Sequence, residues 1–347
     1  MPMVEPEYQH PVQEFAHRTV DFRSSILVMA VVNRTPDSFY DDGASFALDA
    51  AVSAARRAID DGADWVDVGG VPFAPGPELP PEEEAARVVP VIAALRKART
   101  VGSNEDCSED HRAAGQAFTA ILSADTFQPS VAEQAIAAGA DVINDTTGLH
   151  HHDLGRVVAA GGAHLVITHS LASPRTPVPS PQYDDVVAEV RERLLRRIDL
   201  AVSLGVPEEK IIVDPGHDLN KNTLHSLELT RRFGEIASLG FPALAAVSNK
   251  DFIGEALGQH KSQRLAGSLA AAQVCVMNGA RILRMHQVGP SVSAVRMTEA
   301  IMGWREPVRL EHNLNGQNRD ADRSPGPDDG ADWTGPTAFP PARKAAR

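Results

Sequence analysis

The chain has 347 residues, 43% of them hydrophobic and 23% charged, and a net charge of −13. That length holds one large domain or two modest ones, the acidic balance disfavours nonspecific nucleic-acid binding, and no apolar run approaches the ~18 residues that cross a bilayer. Two cysteines, Cys107 and Cys275, give neither a disulfide framework nor a zinc spacing. The opening stretch, Met1 to His10, lacks the basic and apolar segments of a secretory signal. A cytoplasmic protein with no membrane or nucleic-acid partner is expected.

Residues 1 to about 23 are polar and without clear period, which predicts an N-terminal arm. Ile26 to Val32 is an unbroken apolar run, as a strand buried on both faces requires. Polar chemistry then begins abruptly at Asn33, and Thr35 to Ser38 form a turn-prone loop. Leu48, Val52, Ala55 and Ile59 recur at helical spacing, and Gly62 ends that helix. Trp65 to Val68 is a short strand running into Gly69, Gly70 and a proline-rich loop. A helix follows, opened by Glu82, Glu83 and Glu84 at the end where acidic groups suit the dipole. Residues 100–116 are polar and aperiodic and read as a flexible insertion.

Further strands are expected at Ala120 to Ala124, Asp141 to Ile143, His164 to Ile167, Ile211 to Val213, Ala243 to Val247 and Ile282 to Met285. The longest helix, Tyr183 to Leu204, has one apolar face carrying Val187, Val190, Leu194, Ile198 and Ala201. Later helices are expected around Leu227 to Leu239, Gln263 to Asn278 and Val292 to Met302. From about residue 305 the chain is rich in proline, glycine, aspartate and arginine, which predicts a disordered tail to 347. Eight strand–helix units over residues 24–304 point to a single-domain α/β fold, a (β/α)8 TIM barrel. An open doubly wound sheet is the competing architecture. It would normally carry a glycine-rich phosphate loop after its first strand, and Asn33-Arg-Thr-Pro is not one.

The strands end at Asn33, Asp125, Asn144, Asp214 and Lys250, with Arg284 and His286 at the last. In a barrel these residues share one rim, where active sites lie. Carboxylates, amides and basic groups gathered there are costly to bury without a purpose. Asp214 can accept two N–H bonds side by side, Asn144 offers a donor and an acceptor, Lys250 donates, and Asp125 accepts a ring N–H. That pattern fits a flat 2-amino-4-oxo ring such as a pterin or guanine. Arg284 and His286 suit an anion such as phosphate.

These pieces resemble the dihydropteroate synthases over roughly Ser25 to Arg305. The resemblance rests on N-R-T-P-D-S-F (Asn33 to Phe39), V-D-V-G-G…P-G (Val66 to Gly76), A-D-T (Ala124 to Thr126), I-N-D (Ile143 to Asp145), I-V-D-P-G (Ile212 to Gly216), S-N-K-D-F-I-G (Ser248 to Gly254) and R-M-H (Arg284 to His286). It implies a (β/α)8 homodimer that joins 6-hydroxymethyl-dihydropterin diphosphate to p-aminobenzoate. It also implies that Asp125, Asn144, Asp214 and Lys250 hold the pterin, with Asp125 and Lys250 the catalytic candidates. Asn33, Arg284 and His286 would serve the diphosphate, and Asn33 its magnesium ion.

The departures cluster outside the pterin floor. The family's second loop reads G-G-E-S-T-R-P-G, and here its Glu, Ser, Thr and Arg are Val71, Pro72, Phe73 and Ala74. The family's S-R-K is Ser248-Asn249-Lys250, its glycine-rich run after D-P-G is His217 to Lys221, and its methionine before the strand-five histidine is Thr168. This resembles a diverged second copy of the synthase of actinobacterial type. The expectation is an intact pterin floor with degraded diphosphate and p-aminobenzoate loops, inactive or weakly active as a synthase. An active synthase with compensating contacts and a pterin-binding methyltransferase are the alternatives.

Overall fold

The computed structural model describes residues 5–34, 44–71, 79–101, 120–172, 176 and 178–310. Nearly all of the expected insertion, the tail beyond 310, and the loop residues Thr35 to Phe39 and Pro72 to Ala74 lie outside the described residues.

The strands are β1 (Val12–Phe15), β2 (Arg18–Asp21), β3 (Leu27–Asn33), β4 (Trp65–Gly69), β5 (Ile121–Asp125), β6 (Val142–Asp145), β7 (His164–Thr168), β8 (Ile211–Asp214), β9 (Leu244–Ala245) and β10 (Ile282–Met285). The helices are α1 (Ala44–Asp60), α2 (Pro81–Val101), α3 (Pro129–Ala137), α4 (His152–Gly161), α5 (Val186–Ser203), α6 (Thr223–Arg231), α7 (Phe233–Ala237), α8 (Asp251–Leu257), α9 (Leu265–Met277) and α10 (Val288–Ile301). Strands β3 to β10 form one sheet in the order β8-β7-β6-β5-β4-β3-β10-β9. A parallel bridge between Val213 and Ala243 joins β8 to β9. Val213 N–H donates to the Pro242 carbonyl at 3.0 Å beside it. The expected (β/α)8 barrel is therefore present, with its helices outside.

Strand alternation divides each strand between two cores. Val28, Ala30, Val66, Val68, Leu122, Ile143, Leu165 and Ile167 point outward and pack under the helices. Leu27, Met29, Trp65, Ile121, Val142, Val166, Ile212, Leu244 and Ile282 point inward and fill the lower barrel. Two residues further along, the inward positions become Asp67, Ser123, Asn144, Thr168, Asp214 and Arg284. The lumen is apolar below and polar above, and the change from one to the other creates the site.

The polar N-terminal arm expected over residues 1–23 needs correction. β1 and β2 pair antiparallel from Val12↔Asp21 to Phe15↔Arg18. Phe15, Val20 and Phe22 join the lower inner core, so the hairpin plugs the barrel floor. Arg18 donates to Asp64 Oδ1 at 2.9 Å, and Arg281 donates to the Phe22 carbonyl at 3.0 Å. Two four-residue strands carry too little alternation to be read as strands. At the other end, Arg305 is buried and donates to Glu299 Oε2 at 2.8 Å, so it belongs to the barrel.

Smaller differences have local causes. The single helix expected from Leu227 to Leu239 is α6 and α7, broken at Arg232, whose φ and ψ are −104° and 24°. The last helix starts at Val288, a turn before Val292, because Pro290 sits in the first turn, where no N–H is needed. No described helix is long and apolar enough to cross a membrane.

Phe22 is fully buried against the barrel floor. Phe22→Ala should lower stability by about 3–5 kcal/mol in a urea titration. An unchanged midpoint would make the hairpin an appendage rather than a plug.

Candidate functional site

Asp67 is the fixed point of the upper lumen. It is fully buried on β4 and accepts three hydrogen bonds from three other strands. Ser123 Oγ donates to its Oδ1, Asn144 Nδ2 to its Oδ2 at 3.1 Å, and Arg284 Nε to Oδ2 at 2.8 Å. Trp65 Nε1 donates to Ser123 Oγ at 2.8 Å, which ties the polar layer to the apolar one beneath it. The second arm of Arg284 reaches Asp125 Oδ2 at 2.9 Å.

Register places Asn33 beside Gly69, Gly69 beside Asp125, and Asp125 beside Asn144, one row across four strands. Gly69 leaves room for that row. A Cβ there would meet Asn33 Oδ1 at 3.0 Å and Asp125 Cβ at 3.7 Å. Burial, and the Asp67 carboxylate next to it, push Asp125 up to about 7, with Arg284 opposing. Glu84 on α2 is fully buried, and burial pushes it to about 7 as well.

The loops after β3 and β4 are both tied to α2. Pro90 lies inside that helix, so the Ala86 carbonyl four residues earlier has no helical N–H partner. Arg34 Nη1 fills the place, donating to the Ala86 carbonyl at 2.9 Å and the Arg87 carbonyl at 3.1 Å. Arg87 in turn donates to the Gly70 carbonyl at 3.0 Å.

On the opposite side, Asp214 ends β8 and accepts the Gly216 N–H on Oδ1 at 2.7 Å. Burial raises its pKa, while the Gly216 N–H and the Lys250, Lys221 and Arg284 charges oppose this. Lys221 Nζ meets His169 Nδ1 at 2.9 Å, the Gly216 carbonyl at 3.0 Å and the Leu219 carbonyl at 2.9 Å. Burial pushes Lys221 down to about 7, but three acceptors around one ammonium hold its charged form. Asp218 Oδ2 accepts the Asp251 N–H at 2.6 Å and caps α8, which places Lys250 at the mouth. Burial lowers the Lys250 pKa, with Asp218 opposing. Ser248 Oγ lies 3.1 Å from both the His286 N–H and Nδ1. Burial, then Arg284, push His286 down to about 4, so it is a neutral ring at pH 7.

The structure thus gathers Asn33, Asp125, Asn144 and Arg284 around Asp67, with Asp214 and Lys250 across the lumen. Arg284, expected as an anion contact, is engaged by two carboxylates, Asp67 and Asp125, and His286, expected beside it, is uncharged. Asp67, Ser123, Glu84, His169 and Lys221 were missed by sequence reasoning. An aspartate inside W-V-D-V-G and a serine inside I-L-S-A-D were the available signals, each a polar residue within a buried strand. Asn249 has φ of +57°, in the left-handed region that asparagine tolerates better than most side chains. Among the described residues no group of three His, Cys, Asp or Glu side chains could hold a metal ion.

A family model for pterin-binding enzymes matches residues 29–103 and 111–286. The chain is 40% identical over 293 residues to inactive dihydropteroate synthase 2 of Mycobacterium leprae (strain TN), covering 83% of this chain and 94% of that protein. It is 35% identical over 285 residues to dihydropteroate synthase of Escherichia coli (strain K12), covering 82% and 94%. Among solved structures it is similar to dihydropteroate synthase from Xanthomonas albilineans in complex with 7,8-dihydropteroate. That match has 35% identity and a TM-score of 0.70, and covers 84% of this chain and 99% of that one.

A carboxyl whose pKa is raised on folding favours the fold at low pH. Its contribution is lost as pH climbs from the unfolded value of 3.8 to the folded value of about 7. Asp125→Asn should therefore flatten the fall in thermal midpoint that the wild type is expected to show as pH rises from 3.8 to about 7. Parallel curves for the two proteins would show that Asp125 ionises normally.

Proposed function

Because the chain belongs to the pterin-binding enzyme family, among the dihydropteroate synthases and their homologues, we propose that its barrel mouth binds a pterin-type heterocycle and runs the synthase condensation weakly or not at all. The observation that carries the binding half is the ordered set of Asp125, Asn144 and Asp214 above one apolar floor. Asp214 and Asn144 pair with the amino-pyrimidine side of the ring, Asp125 accepts a ring N–H, and Lys250 donates to a carbonyl or ring nitrogen. The solved relative in complex with 7,8-dihydropteroate supports this ligand class.

The catalytic half concerns charge. In the condensation the carbon–oxygen bond to diphosphate breaks, the leaving group takes the electron pair, and the p-aminobenzoate nitrogen bonds the methylene carbon. Cations placed in advance at the leaving group are the main resource for that step. Here Arg284 is already paired with Asp67 and Asp125, His286 is neutral, and Ala74 and Asn249 stand where the family has arginines. Asn33 Oδ1 fits a magnesium ion only together with diphosphate oxygens and water, since one neutral oxygen is no cage. That ion would neutralise the leaving group. The relative named as inactive supports low turnover. A homodimer is proposed through α9 and α10, where Val274, Met277, Met297 and Ile301 are exposed.

Three outcomes are expected. In calorimetry with 7,8-dihydropterin, Asp214→Ala should weaken binding about a hundredfold, since two ligand donors lose their acceptor. Equal binding by both proteins would remove the ring from this site. In a diphosphate-release assay with both substrates, turnover should lie about ten-thousandfold below an active synthase, roughly a hundredfold for each missing arginine. Asn249→Arg combined with Ser, Thr and Arg at Pro72, Phe73 and Ala74 should raise it, at a cost of about 1 kcal/mol for arginine in the left-handed conformation. Turnover within tenfold of an active synthase would overturn the low-activity reading. Light scattering at micromolar concentration should give twice the chain mass, and a monomeric mass would exclude the dimer.

A further inference from the structure

Thr168 ends β7 and is fully buried, and its Oγ1 has no hydrogen-bond partner among the described residues. Alternation puts it on the inner face with Val166, which belongs to the lower inner core. It pairs in register with Asp214 on one side. On the other side it stands two residues beyond Val166, the register partner of Asn144. Its methyl is turned to Gly216, where a Cβ would approach Cγ2 to 3.3 Å. An orphan hydroxyl thus sits on the strand between two ligand-facing side chains. A buried hydroxyl left without a partner is unfavourable, so one that persists calls for an acceptor from outside the protein.

The neighbours define what that partner is. Asp67 is an acceptor, so the Asn144 amide must turn its NH2 to it and leave Oδ1 for a ligand. Asp214 Oδ1 holds the Gly216 N–H and leaves Oδ2 as an acceptor. From Asn144 on β6 to Thr168 and Asp214, which are level with each other on β7 and β8, the groups therefore read acceptor, hydroxyl, acceptor. The complementary ligand edge is donor, acceptor, donor. A 7,8-dihydropterin presents that edge as N8–H, N1 and the 2-amino group. The oxidised pterin does not, because its N8 carries no hydrogen.

We propose that Thr168 is a ligand contact, its hydroxyl donating to ring N1 between N8–H on Asn144 and the 2-amino group on Asp214, in a site whose preference for the reduced over the oxidised heterocycle comes from N8–H on Asn144. This rests on the pterin-site reading above and deepens it. The assignment concerns a position where the resembling family carries a methionine, which has no hydroxyl to give.

The experiment is calorimetry of the whole protein with 7,8-dihydropterin and with pterin, together with the thermal midpoint of the unliganded protein. Wild type, Thr168→Val and Thr168→Ser are compared. Wild type should bind dihydropterin about tenfold more tightly than pterin. Thr168→Val should lose about tenfold for dihydropterin, and Thr168→Ser less than about threefold, in line with one neutral hydrogen bond. The unliganded midpoint of Thr168→Val should be no lower than wild type, because an orphan is removed. A loss below about threefold in Thr168→Val, with wild type still binding, overturns the Thr168 assignment alone. So does a lowered unliganded midpoint, which would give the hydroxyl a partner inside the protein. Wild type binding neither compound overturns the pterin-site reading and this assignment with it.

Discussion

One buried carboxylate governs the upper barrel. Asp67 cannot be solvated and is surrounded by Ser123, Asn144 and Arg284, so its charge is stabilised only while those three stay in place. Removing one partner of a buried ion pair typically costs about 3–5 kcal/mol, far more than an intact pair contributes. The same bonds fix four strands to one another and orient two side chains toward the ligand space. The Asn144 amide can face Asp67 in only one sense, and Arg284 is stretched between Asp67 and Asp125. The site is therefore formed in advance of any ligand, in the manner of a rigid binding pocket.

That arrangement has a consequence for chemistry. A guanidinium held by two carboxylates has little charge left for a leaving diphosphate, and a neutral His286 adds a hydrogen bond but no charge. Lys250 remains at the mouth, where burial favours its neutral form and Asp218 opposes. On the proposed reading, the groups that recognise a flat heterocycle are gathered among the described residues, and fewer of those residues can stabilise developing negative charge.

Much of this was legible in the sequence. Unbroken apolar runs such as Ile26 to Val32 marked strands covered on both faces, and the polar residue ending each run marked the rim. Asp125, Asn144 and Asp214 could be named because strand ends in a barrel share one side. Asp67 escaped because it lies within a strand rather than at its end, and nothing local distinguishes a buried polar hub from a packing error. The hairpin plug escaped because four-residue strands are too short for a period. Lys221 and Asp218 escaped because their roles are to hold the β8 loop and cap α8, contacts made only once the chain has closed on itself.

The central claim is most directly tested by a crystal structure of the protein with 7,8-dihydropterin. The account predicts the ring flat across the lumen, its amino group on Asp214, its N8–H on Asn144 and its N1 on Thr168, with Arg284 still bonded to Asp67. A ring bound elsewhere, or an Arg284 released from Asp67 to reach it, would contradict the account.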